Sequence, residues 1–248
     1  MRLTFLVFLA ATLATSPATA QRLFDVGLGG TYRAQRDDLA SPLRYAGLGP
    51  GARLKYSALG GSSRFAIVVQ GGTARLTSPV STPTAHYERE THANLIVEYL
   101  RRIHGGRLGL FVGGRLDADG DVRYHTYDRA NVGREVFADL FTTLDAAGTA
   151  TLPVGPGALS MTVAVPLIAL ALRTPYTGAQ YVPAPELRTV GTIWGITNRV
   201  EYRWLLSHRF GISAFHLIRW LHYPTPRPLT AAMQQFGVSL SIVVGGTR

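Results

Sequence analysis

Charged side chains at alternate positions are the feature of this chain that most suggests chemistry. Arg199, Glu201 and Arg203 are separated from one another by single uncharged residues. Successive side chains of a β-strand point to opposite faces, so charges with this spacing share one face. The spacing predicts a charged inner face, and its proposed lining residues are Arg53, Lys55, Glu98, Arg102, Arg115, Arg199, Glu201 and Arg203.

This charged face has two interpretations. The first is a buried network of ion pairs that fills the interior of a narrow barrel. The second is a narrow pathway that prefers anions, because cations outnumber anions among the predicted inward residues. The sequence favours the filled interior and leaves the pathway open.

Histidines near polar connections are the candidates for catalysis. His86, His92 and His125 fall at or near such connections, and Asp117 and Asp119 lie on the same side. A His–Asp pair would supply a general base and the group that orients it, and a Ser–His pair would suit hydrolysis of lipid acyl chains. No short signature fixes either arrangement, so enzymatic activity stays open. We expect no cofactor.

Three carboxylates at alternate positions, Asp117, Asp119 and Asp121, form the one oxygen-rich segment. Such spacing can bind calcium, but the segment lacks the glycine and the terminal glutamate of an EF-hand loop. We therefore expect a solvated acidic turn and no metal site. The chain has no cysteine, which excludes thiolate metal sites and a cysteine nucleophile.

The elements that must position these residues are β-strands. In residues 234–244, apolar side chains alternate with Gln235, Gly237, Ser239 and Ser241. Patterns of this kind predict about ten strands, with eight or twelve also open, because residues 147–157 are long for a turn. The predicted strands are residues 23–35, 51–59, 64–76, 91–102, 107–116, 136–146, 158–172, 189–206, 209–222 and 232–245.

The predicted connections alternate between short and long. Short turns containing Gly or Ser occupy residues 59–63, 104–106 and 207–208. The longer connections between them are residues 36–50, 77–90, 117–135, 173–188 and 223–231. One end of the sheet should therefore carry tight turns and the other end longer loops.

The N-terminus predicts export. Arg2 precedes an apolar run, and Ala18-Thr19-Ala20 is a small-x-small cleavage site, so residues 1–20 are predicted to be a signal peptide. Residues 21–248 contain no linker or break in composition and are predicted to form one domain. The formal net charge of +10 comes from basic residues spread along the chain. This spread, together with export, argues against nucleic-acid binding.

Aromatic residues predict a membrane-spanning sheet. Trp194 and Trp204 point the same way and are separated by roughly 25 Å along the axis of a tilted strand, close to the height of an apolar band between aromatic girdles. The predicted girdle residues are Tyr32, Tyr99, Trp194, Tyr202, Trp204 and Trp220. A soluble barrel would place its apolar face inward, which leaves the shared face of Arg199, Glu201 and Arg203 unexplained.

These features together resemble the bacterial outer-membrane β-barrel proteins over nearly the whole mature chain. The resemblance rests on the signal peptide, the alternating strands, the turn and loop asymmetry and the amphipathic last strand. It implies an all-β, closed antiparallel transmembrane barrel in the outer membrane, inserted by the barrel-assembly machinery. The family usually ends on an aromatic residue, whereas this chain ends Gly246-Thr247-Arg248.

The resemblance implies a location more directly than an activity. We expect an integral outer-membrane barrel with a structural or surface-interaction role, or a narrow anion-leaning channel. The alternative is an outer-membrane hydrolase acting on lipid or peptide, with its site at the extracellular rim. The expected partners are outer-membrane lipid and lipopolysaccharide, while the sequence leaves the oligomeric state open.

Overall fold

The computed structural model describes residues 21–37, 41–78, 86–127, 135–173, 185–224 and 228–244. The predicted signal peptide lies outside these residues. Within them the chain is almost entirely β-strand, and no helix is long and apolar enough to cross a membrane. The strands are β1 (Gln21–Asp37), β2 (Ser41–Leu59), β3 (Ser63–Thr77), β4 (His86–His104), β5 (Gly109–Tyr127), β6 (Glu135–Val154), β7 (Gly157–Arg173), β8 (Glu186–Thr189), β9 (Trp194–Leu205), β10 (Phe210–Tyr223) and β11 (Leu229–Val244).

Ten of the strands form a closed antiparallel barrel. The ring runs β1-β2-β3-β4-β5-β6-β7-β9-β10-β11, and β11 pairs with β1 to close it. The short strand β8 pairs with β7 at one end of the barrel. The predicted fold class, a closed antiparallel barrel of about ten strands, is confirmed.

The two ends of the barrel differ. Both strand termini, Gln21 and Val244, and the short connections lie at one end, called here the turn end. The other connections, most of them longer, lie at the opposite end, called the loop end. This asymmetry agrees with the predicted alternation of short and long connections, except between β1 and β2, where the predicted connection at residues 36–50 is reduced to residues 38–40.

Several strands reach further toward the loop end than predicted. The strand β2 begins at Ser41 and β5 continues to Tyr127, so residues 41–50 and 117–127 belong to the sheet. The acidic segment Asp117–Asp121 is therefore part of a strand and is not a loop. Glycine-rich and acidic stretches usually indicate loops. Both are also compatible with a strand whose inner face is polar.

The connection between β6 and β7 is also shorter than residues 147–157 suggested. The strands pair down to Val154 and Gly157, and Gly155 has a φ of 56°, a left-handed conformation that suits glycine in a tight turn. Inside the barrel Thr149 and Thr162 share a hydrogen bond of 2.8 Å. The small residues of this stretch therefore belong mostly to β6 and β7, which are two of the ten strands of the ring.

Pro166 explains why the predicted strand at 189–206 is split into β8 and β9. Proline has no N–H to donate to the sheet, and the pairing of β6 with β7 shifts its register beside it. The pairing of β7 with β9 ends at Ala164, and residues 190–193 bulge out before β8 resumes it. Gly191, with a φ of 91°, makes this bulge possible.

The two faces of the sheet have opposite character. In β11 the side chains of Phe236, Val238 and Leu240 are exposed on the outside, while those of Gln235 and Ser239 are buried inside. The same alternation holds around the ring, so the barrel is apolar outside and mostly polar inside. A soluble protein has the reverse arrangement, whereas a transmembrane barrel has this one.

Candidate functional site

The barrel interior contains most of the predicted inward charges. Seven of these side chains are placed inside the barrel: Arg53, Lys55, Glu98, Arg115, Arg199, Glu201 and Arg203. Arg102 is the exception, because it is exposed at the turn end. Its Nη1 donates to the carbonyl oxygen of Gly61 at 3.1 Å, and its guanidinium lies 5.6 Å from the ring centre of Phe111.

Glu201 is the centre of a cluster near the turn end. Its carboxylate accepts hydrogen bonds from Lys55 Nζ at 2.7 and 2.8 Å and from Arg53 Nη2 at 3.0 Å. Arg203 Nη2 donates to it at 2.7 Å and also reaches Asp25 Oδ2 at 3.0 Å. Three cations therefore converge on one carboxylate that is only 5% exposed. Glu201, its three cationic partners and Asp25 are called the Glu201 cluster.

A second group at a similar level is centred on Glu98. Arg199 Nη2 lies 3.5 Å from its carboxylate and Arg64 Nε lies 4.0 Å from it. Glu98 is fully buried. A buried carboxylate is stable only when paired, so these two arginines are the physical reason that Glu98 is tolerated there.

The middle of the barrel is organised around Asp117. Its carboxylate pairs with Arg115 and accepts a hydrogen bond from Asn94, and Arg219 Nη2 lies 3.1 Å from it. Arg219 also reaches Asp119 Oδ2 at 3.0 Å. Arg219 on β10 thus joins two carboxylates of β5 across the lumen.

Asp37 is the centre of a fourth cluster, near the loop end. Arg123 Nη1 donates to it at 2.8 Å and Arg173 Nη2 at 2.6 Å. Both arginines also contact Asp139, and Arg123 Nε lies 2.9 Å from Asp121 Oδ1. These five residues lie on β1, β5, β6 and β7, so the cluster spans the ring.

The sequence prediction missed most of the carboxylates that balance the inward cations. They lie either beyond the predicted strand ends or beside phenylalanines that obscured the pattern: Asp37, Glu88, Glu90, Asp119, Asp121, Asp139 and Asp145. The alternation of charged residues continuing from Arg115 to Arg123 was the signal that would have extended β5. Arg123 was missed for the same reason, whereas Arg219 lies within the predicted strand at residues 209–222 and was not assigned to its inner face.

The positive charge of the protein is not concentrated in the lumen. The sequence has 15 acidic residues. Among those whose side chains are described, all except Glu186 face the interior. Inside the barrel carboxylates are about as numerous as cations. The premise for an anion preference, an excess of inward cations, therefore does not hold for the described residues.

Among the catalytic candidates whose side chains are described, His92 is not paired with Asp117 or Asp119. His92 lies inside the barrel, and neither of its ring nitrogens has a hydrogen-bonding partner among the described residues. Asp117 and Asp119 are paired with arginines instead. His86 and His125 lie on the neighbouring strands β4 and β5, but their side chains lie outside the described part of the structure.

The three alternate carboxylates Asp117, Asp119 and Asp121 also differ from the acidic turn that was expected. All three point into the barrel and are buried, where arginines neutralise them. Within the described residues no group of three or more acidic or histidine side chains is arranged to hold a metal ion.

Two cavities show how tightly the interior is filled. A cavity of about 170 Å³ opens at the turn end, beside Ser57, Phe111 and Glu201. Nearer the loop end, a cavity of about 20 Å³ lies among Arg33 and Asp121, which is room for about one water molecule. Members of the ion-pair clusters line both cavities, Glu201 and Arg203 the first and Asp121 and Arg123 the second.

Outward aromatic side chains fall into two sets. Toward the loop end are Tyr32, Trp194 and Trp220, and toward the turn end are Tyr99, Tyr202 and Trp204. Trp194 and Tyr99 are more than half exposed, at 57% and 55%. Large exposed rings at two levels, with apolar side chains between them, are the arrangement that anchors a barrel in a bilayer.

Above the loop-end aromatic set, arginines cover the outside of β1 to β4. Arg36 lies directly opposite Arg44, and Arg75 directly opposite Arg89. Like charges in such cross-strand positions are unfavourable unless an anion lies between them. Among the described residues, the outward faces of β3 and β4, which carry Arg75 and Arg89, have no acidic side chain.

Arg75 and Arg89 border a groove of about 400 Å³ on the outer surface. Leu48 and Pro50 form its apolar side, and Arg75, Tyr87 and Arg89 its polar side. The guanidinium of Arg75 lies 4.4 Å from the ring centre of Tyr87, which holds it at the edge of the groove. We call Arg36, Arg44, Arg75 and Arg89 the arginine rim.

One small polar site lies at the loop end of the barrel, on β8. The hydroxyl of Tyr223 donates a hydrogen bond to Glu186, and Arg188 Nη2 donates to the same carboxylate at 2.6 Å. The hydrogen bond from Tyr223, and then that from Arg188, holds the pKa of Glu186 below its ordinary value. These contacts tie β8 to the end of β10.

Comparison with known proteins identifies the fold and no closer relationship. No protein-family model matches the sequence, and no curated protein matches it. The outer-membrane protease OmpT from Escherichia coli has 8% identity and a TM-score of 0.60, over 90% of this chain and 97% of that one. The translocator domain of the autotransporter NalP from Neisseria meningitidis has 8% identity and a TM-score of 0.50, over 95% and 93%. The chain therefore has the barrel fold of bacterial outer-membrane proteins, as its strand pattern predicted.

Proposed function

We propose that this protein is an integral outer-membrane barrel whose lumen is closed by ion pairs, with a structural or surface-interaction role. The apolar exterior between two aromatic sets and the predicted signal peptide support the location. In this orientation the turn end faces the periplasm and the loop end faces outward. Insertion by the barrel-assembly machinery is part of the proposal.

The observation that carries the closed lumen is that its ion pairs join strands on opposite sides of the ring. Lys55 on β2 bonds to Glu201 on β9, with β1, β11 and β10 between these strands. Arg123 on β5 bonds to Asp37 on β1 in the same way, with β2, β3 and β4 between. Breaking one buried pair costs about 3–5 kcal/mol, so an ion has no low-energy path through successive clusters.

The experiment that tests a closed lumen is single-channel recording of the refolded protein in a planar bilayer under a salt gradient. We expect stable insertion without discrete openings. The matched variant is K55S/E201S, which removes the central pair of the Glu201 cluster and leaves the net charge unchanged. It should conduct more than the wild type.

The outcome of this experiment separates closure from transport. Wild-type openings as frequent as those of the variant would show that the ion pairs do not close the lumen. The sign of the reversal potential would then decide for or against the narrow anion-leaning channel. The balance of charges inside the described barrel gives that channel less support than the closed lumen.

For the surface role, the partner that the arginine rim fits best is a phosphorylated outer-leaflet lipid such as lipopolysaccharide. Arginine binds phosphate through paired hydrogen bonds, and each basic residue near an anionic surface contributes about 1 kcal/mol. The apolar side of the groove, at Leu48 and Pro50, suits the start of an acyl chain.

An outer-rim hydrolase is the alternative, and it has less support. Among the described side chains no histidine is paired with a carboxylate or a serine in the way such a mechanism needs. A hydrolytic activity lost in H86A or H125A, with the fold intact, would nevertheless restore this alternative.

A further inference from the structure

The outer surface of the barrel carries a polar patch within its apolar band. Between the two aromatic sets, the outward side chains of the described strands are apolar or threonine, with three exceptions. These are Asn198 on β9, His216 on β10 and Gln234 on β11, which are neighbouring strands. A threonine hydroxyl can bond to its own backbone, whereas amide and imidazole groups need other partners.

The three residues are close together because of the strand register. Asn198 pairs with Ile218, and Ile218 pairs with Gln234. Asn198 and Gln234 therefore lie in one row across the sheet, on either side of Ile218. His216 lies one outward position from Ile218 toward the turn end. At about 3.3 Å per residue and a tilt near 40°, it is roughly 10 Å deeper than Trp220.

A polar patch at this depth is unfavourable when it faces lipid. Hydrocarbon offers no hydrogen bonds, and an unpaired amide or imidazole costs of the order of 2–7 kcal/mol when it leaves water. The described residues provide no hydrogen-bonding partner for His216 or Gln234. The Oδ1 of Asn198 is buried and accepts no hydrogen bond.

We propose that Asn198, His216 and Gln234 form the contact surface of a symmetric dimer within the membrane. A second copy inserted in the same direction carries the same patch at the same depth, so a two-fold axis along the membrane normal brings the two patches together. His216 and Gln234 each have both a donor and an acceptor when neutral, and Asn198, whose Oδ1 is buried, has its amide N–H groups as donors, so the patch is complementary to itself. The small outward residue Ala214 beside His216 lets the two sheets approach.

The chain contains no cysteine, so a single introduced thiol reports the contact directly. I218C places a thiol at the centre of the patch, and L95C places one on the outward face of β4, on the opposite side of the ring. Both variants are treated with a short bifunctional maleimide in lipid vesicles. We expect a covalent dimer from I218C and none from L95C.

A second measurement protects the proposal against a cysteine variant that fails to fold. The masses of the wild type and of N198L/H216L/Q234L are compared in lipid nanodiscs. The leucines suit a lipid-facing surface, so this variant should fold, and its dimer should be about tenfold weaker. The proposal would be overturned by any of three results. These are a monomeric wild type, equal cross-linking of the two cysteine variants, and a dimer that the three leucines do not weaken. A cross-link from I218C to a different protein in native membranes would do the same.

Discussion

Removing the charge of Glu201 should lower the stability of the barrel more than removing any other single charge. It is 5% exposed and bonds to three cations, Lys55, Arg53 and Arg203, over distances of 2.7–3.0 Å. The substitution Glu201→Gln keeps the shape of the side chain and removes its charge. Of the remaining carboxylates, Asp25 is the one within reach, 3.8 Å from Lys55 Nζ and 3.0 Å from Arg203 Nη2.

The expected loss of stability follows from this imbalance. Three buried cations would share one carboxylate, and removing one member of a buried ion pair typically costs 3–5 kcal/mol. We expect the free energy of unfolding to fall by about 3–5 kcal/mol. Replacing Lys55 by Met in the same molecule removes one of the stranded cations, so K55M/E201Q should be more stable than E201Q alone.

The assay is equilibrium unfolding in urea of the protein refolded into lipid vesicles, followed by tryptophan fluorescence. Glu186→Gln is the control, because it makes the same chemical change on a side chain that is 41% exposed, where an ion pair contributes about 0–1 kcal/mol. A loss below about 1 kcal/mol in E201Q, equal to that in the control, would refute the view that the Glu201 cluster holds the barrel together.

Two further predictions concern the outer surface. R75Q/R89Q should bind vesicles containing phosphorylated lipid A about 30-fold more weakly, since two arginines contribute about 2 kcal/mol, while R101Q/R107Q at the turn end should bind like the wild type in a flotation assay. Equal binding by both variants would exclude the arginine rim. Because the pKa of Glu186 is lowered in the folded state, its contribution is present above its unfolded pKa and is lost as the pH falls through the folded value. The protection factors of the β8 amides (the intrinsic exchange rate divided by the observed rate) should therefore fall at acid pH, and E186Q should remove that dependence; an unchanged pH profile in E186Q would contradict this.

The sequence predicted the faces of the strands better than their lengths. Alternation is a local property, and in β9 and β11 the inward and outward side chains lie on the faces that it predicts. The ends of β2 and β5 were wrong because Gly and Asp were taken as loop formers. In a barrel with a polar interior those residues belong to the inner face, and only their partners on distant strands show this.

The ion-pair clusters could be predicted only in part for the same reason. Arg53, Lys55 and Glu201 were expected to share the interior, but nothing in their spacing shows that Lys55 meets Glu201. That contact depends on the number of strands in the ring and on their register, which are set by the whole chain. The break at Pro166 was visible in the sequence, yet its effect, the separation of β8 from β9, depends on the pairing of three strands.

The ion pairs across the lumen have a consequence for how this barrel assembles. The carboxylates Asp117 and Asp119 of β5 depend on Arg219 of β10, and Asp37 of β1 depends on Arg123 of β5 and Arg173 of β7. A half-built sheet would therefore hold charges whose partners have not yet been added. Strands inserted one at a time would have to keep those charges in water until the last hairpin arrived. Assembly of this barrel should accordingly be all-or-none, with closure of the ring and neutralisation of its interior occurring in the same step.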